Sequence, residues 1–314
     1  MIFRRPDLTA MVLDTVRAVK PPELYVIADG PRADKPGEAE ACAAARAVID
    51  TVDWDCRVHR HYSDTNLGCG NRPASGFDWL FDQVDSAIIL EDDCIPHHSF
   101  FGYCEELLGR YRDDERVMHI SGCTYRAEPW GIDDSYFFSR YPACWGWATW
   151  ARAWKHYEFH CEDWPRLKET AFLEGVIGEP AVEAYWANWF DESNVTDPLL
   201  HTWDYQWAFA CWANSGLAVC PRHNLVCNVG TGEGATHTTS NHTGTMALPT
   251  YEMPLPLRHP KNVLHDIDLD RRYVSELLLP EATGLPTAGR RGVQSTLTKL
   301  LPGSVKRRVK QLIR

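Results

Sequence analysis

Through about residue 125, short apolar runs alternate with segments of helical periodicity, and this alternation constrains the fold more than any other feature. Residues 24–28 and 86–90 are apolar runs of strand length, whereas residues 7–19 and 68–82 carry apolar side chains at helical spacing. Strands that alternate with helices form a mostly parallel, twisted sheet flanked by helices, with ligands at the strand ends. The sequence therefore predicts an α/β fold of the Rossmann-like type.

The pattern changes after residue 125. Residues 145–212 are rich in Trp and have helical spacing, which predicts a second lobe over the edge of the sheet. Within this segment, Trp145, Trp147 and Trp150 fit neither one face of a helix nor one face of a strand. We predict a tight turn that leads into a helix, with rings available to a binding pocket and core packing for at least one of them.

The most informative local motif is an apolar strand that ends in three successive acids, Glu91, Asp92 and Asp93. Adjacent carboxylates repel one another, so a buried placement makes sense mainly when a cation neutralises them. Oxygen ligands suit a hard divalent ion, Mn²⁺ or Mg²⁺, which would bridge to the oxygens of a diphosphate. The alternative for the triplet alone is a solvated acidic turn.

Several further motifs accompany the acidic run, and the whole set spans roughly residues 3–240. They are Asp29-Gly30-Pro31-Arg32, Asn66-Leu67-Gly68, Cys144-Trp145-Gly146-Trp147, Trp203-Asp204-Tyr205-Gln206-Trp207 and Gly234-Ala235-Thr236-His237. The combination resembles bacterial family-2-like glycosyltransferases of the GT-A fold. Its acidic run resembles the Glu-Asp-Asp metal motif of the Golgi N-acetylglucosaminyltransferases that initiate hybrid N-glycans. The resemblance implies the GT-A fold, with a Trp-rich acceptor lobe.

The resemblance also implies roles for individual side chains. Asp93 would be the direct metal ligand, whereas Glu91 and Asp92 would position the sugar, the ribose or metal-bound waters. Asp29 would contact the nucleoside base, and Arg5 would lie at the edge of the nucleotide. The remaining implied residues are members of the donor pocket and one further metal contact: Arg32, Asn71, Arg72 and Trp203, and His237. The alternatives are a turn-forming Asp29, an ordinary surface Arg5 and a solvated His237.

By the same resemblance, Asp204 is implied to be the catalytic base. It stands between Trp203 and Tyr205, just ahead of an aromatic helix. We expect these rings to bury the carboxylate and so strengthen it as a base. The alternative is a helix N-terminal Asp that accepts hydrogen bonds from free backbone N–H groups.

These roles predict an inverting glycosyltransferase that moves a sugar from a nucleotide diphosphate-sugar, with UDP favoured, onto a hydroxyl of a glycan or lipid-linked glycan in surface polysaccharide synthesis. The chain then divides into a nucleotide-sugar-binding half (1–125), an acceptor and catalytic half (126–250), an extension (251–287) and a basic tail (288–314). One alternative is a sugar-nucleotide pyrophosphorylase, which needs a Gly-rich basic loop after the first strand that this sequence lacks. Another is a non-catalytic carbohydrate-binding protein on the same scaffold.

The charge distribution separates the tail from the rest of the chain. The formal net charge is −11, but the last thirty residues contain eight bases and no acid, so the remainder carries −19. A body this acidic repels nucleic acid, which argues against nucleic-acid binding. The tail carries apolar and basic side chains at near-helical spacing, which predicts peripheral contact with an anionic membrane.

Irregularly spaced cysteines and the lack of a secretory apolar segment predict a cytoplasmic protein, in contact with the inner face of the membrane.

Overall fold

The structure is a computed structural model that describes residues 1–194, 202–230 and 245–283. Within these ranges the chain is a mixed α/β protein, in which helices flank a five-stranded sheet. His237, for which the sequence predicts a metal contact, lies outside the described residues. The basic tail 288–314, for which it predicts a membrane contact, also lies outside them.

The predicted alternation of helices and strands is confirmed in the first part of the chain. The first helix begins at Pro6, where the missing N–H of proline costs nothing, and it buries Val12 and Val16 on one face. The elements up to residue 121 follow in this order: α1 (Pro6–Val19), β1 (Glu23–Ala28), α2 (Glu38–Val48), β2 (Arg57–Tyr62), α3 (Gly68–Phe81), β3 (Ser86–Ile89), β4 (Cys94–Pro96), α4 (Ser99–Arg110) and β5 (Val117–Ser121). A 3₁₀ turn, Ile49–Thr51, extends α2.

The remaining described residues add shorter helices and the strands that complete the sheet. Their order is β6 (Tyr136–Ser139), β7 (Trp147–Trp150), α5 (Ala151–Trp154), α6 (Trp164–Leu167), α7 (Phe172–Val176), α8 (Pro180–Asn194), α9 (Asp204–Ala213), β8 (Leu217–Pro221), β9 (Val226–Asn228), α10 (Ile267–Tyr273) and α11 (Leu279–Thr283). A π-helical turn, Val274–Leu278, joins α10 to α11. None of the helices described combines the length and the apolar character that crossing a membrane requires.

The main sheet is not mostly parallel, so this part of the prediction is wrong. Its strand order is β3-β7-β5-β8-β6, and within it the β5–β8 pair alone is parallel. β1 and β2 form a separate parallel pair, and β4 pairs antiparallel with β9. The cause is that β6 and β7 enter the sheet against the direction of their neighbours. A short buried apolar run carries no information on strand direction, because only its partners determine it.

The Trp-rich segment contributes to the core. The prediction that Trp145, Trp147 and Trp150 form a tight turn leading into a helix is wrong, because residues 147–150 form the strand β7. Trp147 and Trp150 lie on β7 and are completely buried, whereas Trp145 is half-buried. The first two rings belong to different core clusters, because residues three apart on a strand point to opposite faces of the sheet. A strand buried on both faces therefore explains a spacing that fits no single face.

The first two residues lie between the two parallel-paired strands and the main sheet. Ile2 pairs in parallel with Ala28, and its backbone N–H donates to the Ile27 carbonyl at 2.9 Å. The amino group of Met1 donates to the Leu90 carbonyl, just beyond β3, at 2.5 Å. These contacts hold the carboxyl-terminal ends of β1 and β3 near each other. Asp29, which follows β1, and the acidic run 91–93, which follows β3, therefore lie near each other.

Candidate functional site

The acidic run lies directly after β3, where the main chain turns into β4. Asp92 and Asp93 are buried, with 5% and 7% of their surface exposed. Burial raises the pKa of Glu91 to about 8, and the neighbouring Asp93 carboxylate raises it further in the same direction. Burial also raises the pKa of Asp92, against the opposing effect of Arg5. The run is thus a buried cluster of acids, and the alternative of a solvated acidic turn does not describe it.

Arg5 is the main counterion of this cluster. It stands immediately before α1, and its guanidinium forms ion pairs with both Asp92 and Asp93, the latter at 2.8 Å. Burial opposes the charge of Arg5, but the two carboxylates outweigh burial and raise its pKa. Arg5 is therefore a fixed positive charge. The sequence predicts Arg5 at the edge of a nucleotide, and its side chain does line the adjacent pocket.

A pocket of about 520 Å³ opens beside the acidic run, between the ends of β1 and β3 and the start of α3. It brings together most of the residues that the sequence assigns to the donor site: Arg5, Asp29, Arg32, Arg72, Glu91, Asp92 and Trp203. Asn71, Asp93 and Asp204 are not among its lining residues. A volume of this size is typical of small-molecule sites.

Asp29 follows β1 and links it to the start of α3 through hydrogen bonds. Its carboxylate accepts hydrogen bonds from the backbone N–H groups of Gly30, Leu67 and Gly68, and from the Asn66 amide, all at 2.9–3.0 Å. Burial raises the pKa of Asp29, and the backbone donors lower it in part. These four bonds occupy the acceptor positions of both oxygens. In this structure Asp29 therefore holds the start of α3 in place at the wall of the pocket.

Arg72 and Arg32, two of the arginines that line the pocket, differ in their hydrogen bonding. Arg72 is 5% exposed and donates to the carbonyl of His61, while its Nε has no hydrogen-bond partner among the described residues. Burial lowers the pKa of Arg72, and Asp29 opposes this change. Arg32 instead donates three hydrogen bonds to Glu38, through its backbone N–H, Nε and Nη2. Arg72 thus has a buried N–H donor that a ligand could satisfy.

Glu38 was not predicted from the sequence as part of the site. It is buried at the start of α2 and also accepts a hydrogen bond from Arg4 at 2.7 Å. The hydrogen bonds from Arg32 lower the pKa of Glu38 to about 2, so it is ionised at neutral pH. Its available signal was an acid in the first turn of a helix, which Glu40 shares, and this pattern is common among solvated residues.

Asp204 lies at the first position of α9 and is exposed, so the prediction of a buried carboxylate is wrong. Its aromatic neighbours pack elsewhere: Trp203 stacks on Trp147, and Tyr205 stacks on Trp189 with centroids 4.3 Å apart. The hydroxyl of Thr202 donates to the Asp204 carboxylate. Asp204 also contributes to the raised pKa of Glu91, which places its charge within electrostatic reach of the acidic run.

Asp93 is the carboxylate for which metal binding is predicted, and its surroundings fit a cation in part. Its Oδ2 pairs with Arg5, whereas the Cys94 thiol, 3.6 Å away, is the hydrogen-bond donor near its Oδ1. A side chain at Gly230 would collide with this carboxylate, so the glycine is required for the close approach. Among residues 1–194, 202–230 and 245–283, no group of three or more His, Cys, Asp or Glu converges on a metal position. A bound ion would therefore complete its coordination with ligand oxygens or water.

The chain was also compared with known proteins. No protein-family model matches it, and no curated protein matches it significantly. The assignment of a function therefore depends on the site described above.

Proposed function

We propose that this protein is a metal-dependent, inverting glycosyltransferase that uses a nucleotide diphosphate-sugar donor, with UDP favoured. The observation that carries the proposal is the 520 Å³ pocket, in which two cationic side chains, the half-buried Arg5 and the buried Arg72, stand beside the acidic run. Cations suit the diphosphate, and the excess of carboxylates suits a divalent ion. One pocket thus offers complementary groups for both parts of a metal–diphosphate unit.

The arginines would bind the diphosphate. The free Nε of Arg72 is a buried donor, and an unsatisfied buried donor is costly until a ligand occupies it. Arg5 is already paired with Asp92 and Asp93, so its role would be to hold these carboxylates in position and to limit their mutual repulsion. Trp203 also lines the pocket, where an indole suits the C–H face of a sugar ring.

Mn²⁺ or Mg²⁺ held by Asp93 would stabilise the negative charge that develops on the departing diphosphate. The acceptor hydroxyl would attack the anomeric carbon in line with the departing phosphate oxygen. Asp204 would accept the hydroxyl proton at its carboxylate, whose exposed position leaves room for a glycan or lipid-linked glycan. Thr202 would orient that carboxylate through its hydrogen bond. Glu91 lines the pocket and would position the sugar, the ribose or metal-bound waters.

A binding protein without transfer activity is the second candidate. The observation that favours it is the pairing of Arg5 with both Asp92 and Asp93, which partly satisfies the acidic run without a metal. A binding protein of this kind would take up the nucleotide-sugar without cleaving it.

The two candidates are separated by one experiment. Hydrolysis of a panel of UDP-, GDP- and dTDP-sugars is measured with and without Mn²⁺, and UDP binding is measured by calorimetry under the same conditions. A transferase hydrolyses at least one donor slowly and only with the metal, whereas a binding protein binds the nucleotide and cleaves none. Asp93→Ala should abolish metal-dependent UDP binding, while the exposed Asp113→Ala should not. Unchanged affinity in Asp93→Ala rules out the metal assignment.

A further inference from the structure

The loop that follows β5 reaches the same edge of the main sheet as the acidic run. β3 and β5 both pair antiparallel with β7, so they run in the same direction and their carboxyl-terminal ends share one edge. Ile89 and Ser121, the last residues of β3 and β5, both stand opposite Trp147, the first residue of β7. The acidic run and the loop after β5 therefore flank the same end of β7.

The loop before β7 begins at this edge as well, and it contacts the loop after β5. The backbone N–H of Gly122 donates to the Gly146 carbonyl at 2.8 Å, and a side chain at Gly122 would collide with that carbonyl. This close approach brings Tyr125, after β5, against Trp145, before β7. Their ring centroids are 4.8 Å apart and the ring planes meet at 80°, so the two rings form an edge-to-face pair.

The backbone of Tyr125 is strained. Its φ of +51° lies in the left-handed region, which bulky side chains rarely adopt. The next residue holds it there, because Arg126 forms an ion pair with Glu276 of the π-helical turn and lies over the Trp130 ring, 4.4 Å from its centroid. Backbone strain maintained by its surroundings is concentrated at binding and catalytic sites, and so are π-helical turns.

The position of Asp204 relates this aromatic pair to the proposed reaction. Burial raises the pKa of Tyr125, and the charge of Asp204 adds to the rise. Asp204 contributes in the same way to the raised pKa of Glu91. The proposed base is therefore within electrostatic reach of the acidic run on one side of the site and of Tyr125 on the other. A base in this position serves an acceptor bound against Tyr125 and Trp145.

The exposure of the two rings distinguishes them from the rest of the aromatic core. Trp147 and Trp150 of the neighbouring strand are buried, whereas Tyr125 and Trp145 are only half-buried. Core packing does not require an indole to remain half-exposed beside a proton acceptor. A flat ring in this place suits the C–H face of a pyranose, whose hydroxyl groups then project past the edge of the ring.

We propose that Tyr125 and Trp145 form the acceptor subsite, and that its ligand is an uncharged hexopyranose that stacks on these rings and directs one hydroxyl at Asp204. The inference rests on the proposed function, because it assigns the acceptor side of the same site. The sugar is uncharged because Arg126, the cation of this loop, is already paired with Glu276, and the nearby carboxylates repel an anion.

The transfer step balances with these groups. The acceptor hydroxyl oxygen forms the new bond to the anomeric carbon, and its proton passes to the Asp204 carboxylate. The bond from the anomeric carbon to the donor phosphate breaks, and the nucleoside diphosphate leaves with its electron pair. Tyr125 and Trp145 take no part in proton transfer, so they are binding residues for the acceptor.

The first test measures binding without donor or metal, by saturation-transfer NMR with a panel of methyl α- and β-hexopyranosides. The parent should bind at least one of them. Trp145→Leu keeps an apolar side chain for packing but removes the flat ring, so its affinity should fall by about tenfold. Trp145→Phe keeps a ring and should retain most of the affinity. Trp54→Ala, which removes another half-buried indole, is the matched control and should bind as the parent does.

The second test separates this inference from the proposed function. Donor hydrolysis with Mn²⁺ should be the same in Trp145→Leu and in the parent, since Trp145 does not line the donor pocket. Transfer to the methyl hexopyranoside that binds should show a raised acceptor KM in the variant. Tyr125→Leu should have the same two effects, and the thermal midpoint of each variant shows that it is folded.

Two results overturn the inference: no methyl hexopyranoside binds the parent, or folded Trp145→Leu and Tyr125→Leu both bind it as tightly as the parent does. Ring-dependent binding by a parent that hydrolyses no donor contradicts the proposed function and leaves the sugar subsite in place. Donor hydrolysis by a parent that binds no hexopyranoside has the opposite meaning. The two failures are therefore distinguishable.

Discussion

The acidic run contains three carboxyl groups, Glu91, Asp92 and Asp93, but only one guanidinium, that of Arg5, pairs with it among the described residues. The protonation of each acid therefore depends on its own surroundings. Arg5 donates to Asp92 and Asp93, whereas burial raises the pKa of Glu91 to about 8. Arg5 thus pairs with two of the three adjacent acids, whereas burial favours the protonated form of Glu91. Environments that push neighbouring pKa values apart are a common basis for separate acid and base roles.

Asp204→Asn should cut the turnover number by roughly 10²- to 10⁴-fold while leaving donor affinity unchanged, because an amide keeps the shape of the carboxylate but cannot accept the proton. Steady-state transfer and calorimetry with the donor measure the two quantities. Asp113→Asn, at an exposed position, serves as the matched control. Transfer at the parental rate in Asp204→Asn would exclude it as the base, and another carboxylate would become the next candidate.

Glu91→Gln should change how the stability of the metal-free protein depends on pH. The folded protein retains the Glu91 proton up to about pH 8, whereas the unfolded chain releases it near the ordinary value of 4.5. The free energy of unfolding therefore falls as pH rises between these two values, and the substitution removes this contribution, which is of order a few kcal/mol. Urea unfolding across this range measures the slope. A slope as steep as that of the parent, or an equal flattening by the exposed Glu169→Gln, would contradict the prediction.

At the scale of elements, the site depends on where β1, β3 and α3 begin and end. β1 and β3 end near each other, and Asp29 holds the start of α3 there through the backbone N–H groups of Leu67 and Gly68. The first turn of a helix has backbone N–H groups without intrahelical partners, so an acceptor at this position stabilises it. The stability of the pocket wall therefore depends on the hydrogen bonds between Asp29 and the start of α3.

Asp29→Ala should lower the free energy of unfolding by about 2–4 kcal/mol, because it leaves backbone donors and the Asn66 amide without their acceptor in a buried place. Urea unfolding measures the loss, with the exposed Asp34→Ala as the control. Full stability together with lost nucleotide binding would instead support the predicted contact between Asp29 and the nucleoside base.

The elements near the site could be predicted from the sequence because their signals are local. Pro6 marks the start of α1, and the apolar run before Glu91 marks β3, so both appear where the sequence places them. The direction of β6 and β7 could not be predicted, because it depends on partners that are distant in the chain. The exposure of Asp204 depends in the same way on Trp203, whose ring packs on Trp147 of another element.

At the scale of the whole molecule, strands from both predicted halves build one sheet. β3 and β5 come from residues 1–125, whereas β6, β7 and β8 come from residues 126–250. The aromatic core follows the same pattern, since Phe77 of α3 packs on Trp147 of β7 and on Trp203. The acidic run and Asp204 are therefore held by one continuous core, which suits a site that needs fixed geometry.

The charge asymmetry of the chain leads to the last prediction, which concerns the tail 288–314. The tail carries eight bases, and the rest of the chain has a formal charge of −19. Basic side chains near an anionic membrane contribute about 1 kcal/mol each, and a short apolar face adds reversible insertion. Full-length protein should therefore sediment with anionic liposomes in low salt, whereas a variant truncated near Pro286 should stay in solution. Docking of this kind would bring the proposed donor site to lipid-linked acceptors.

Neutral liposomes and added salt are the controls. A tail that binds the acidic body instead would give equal sedimentation of both proteins, and sedimentation that ignores lipid charge would also exclude the membrane contact.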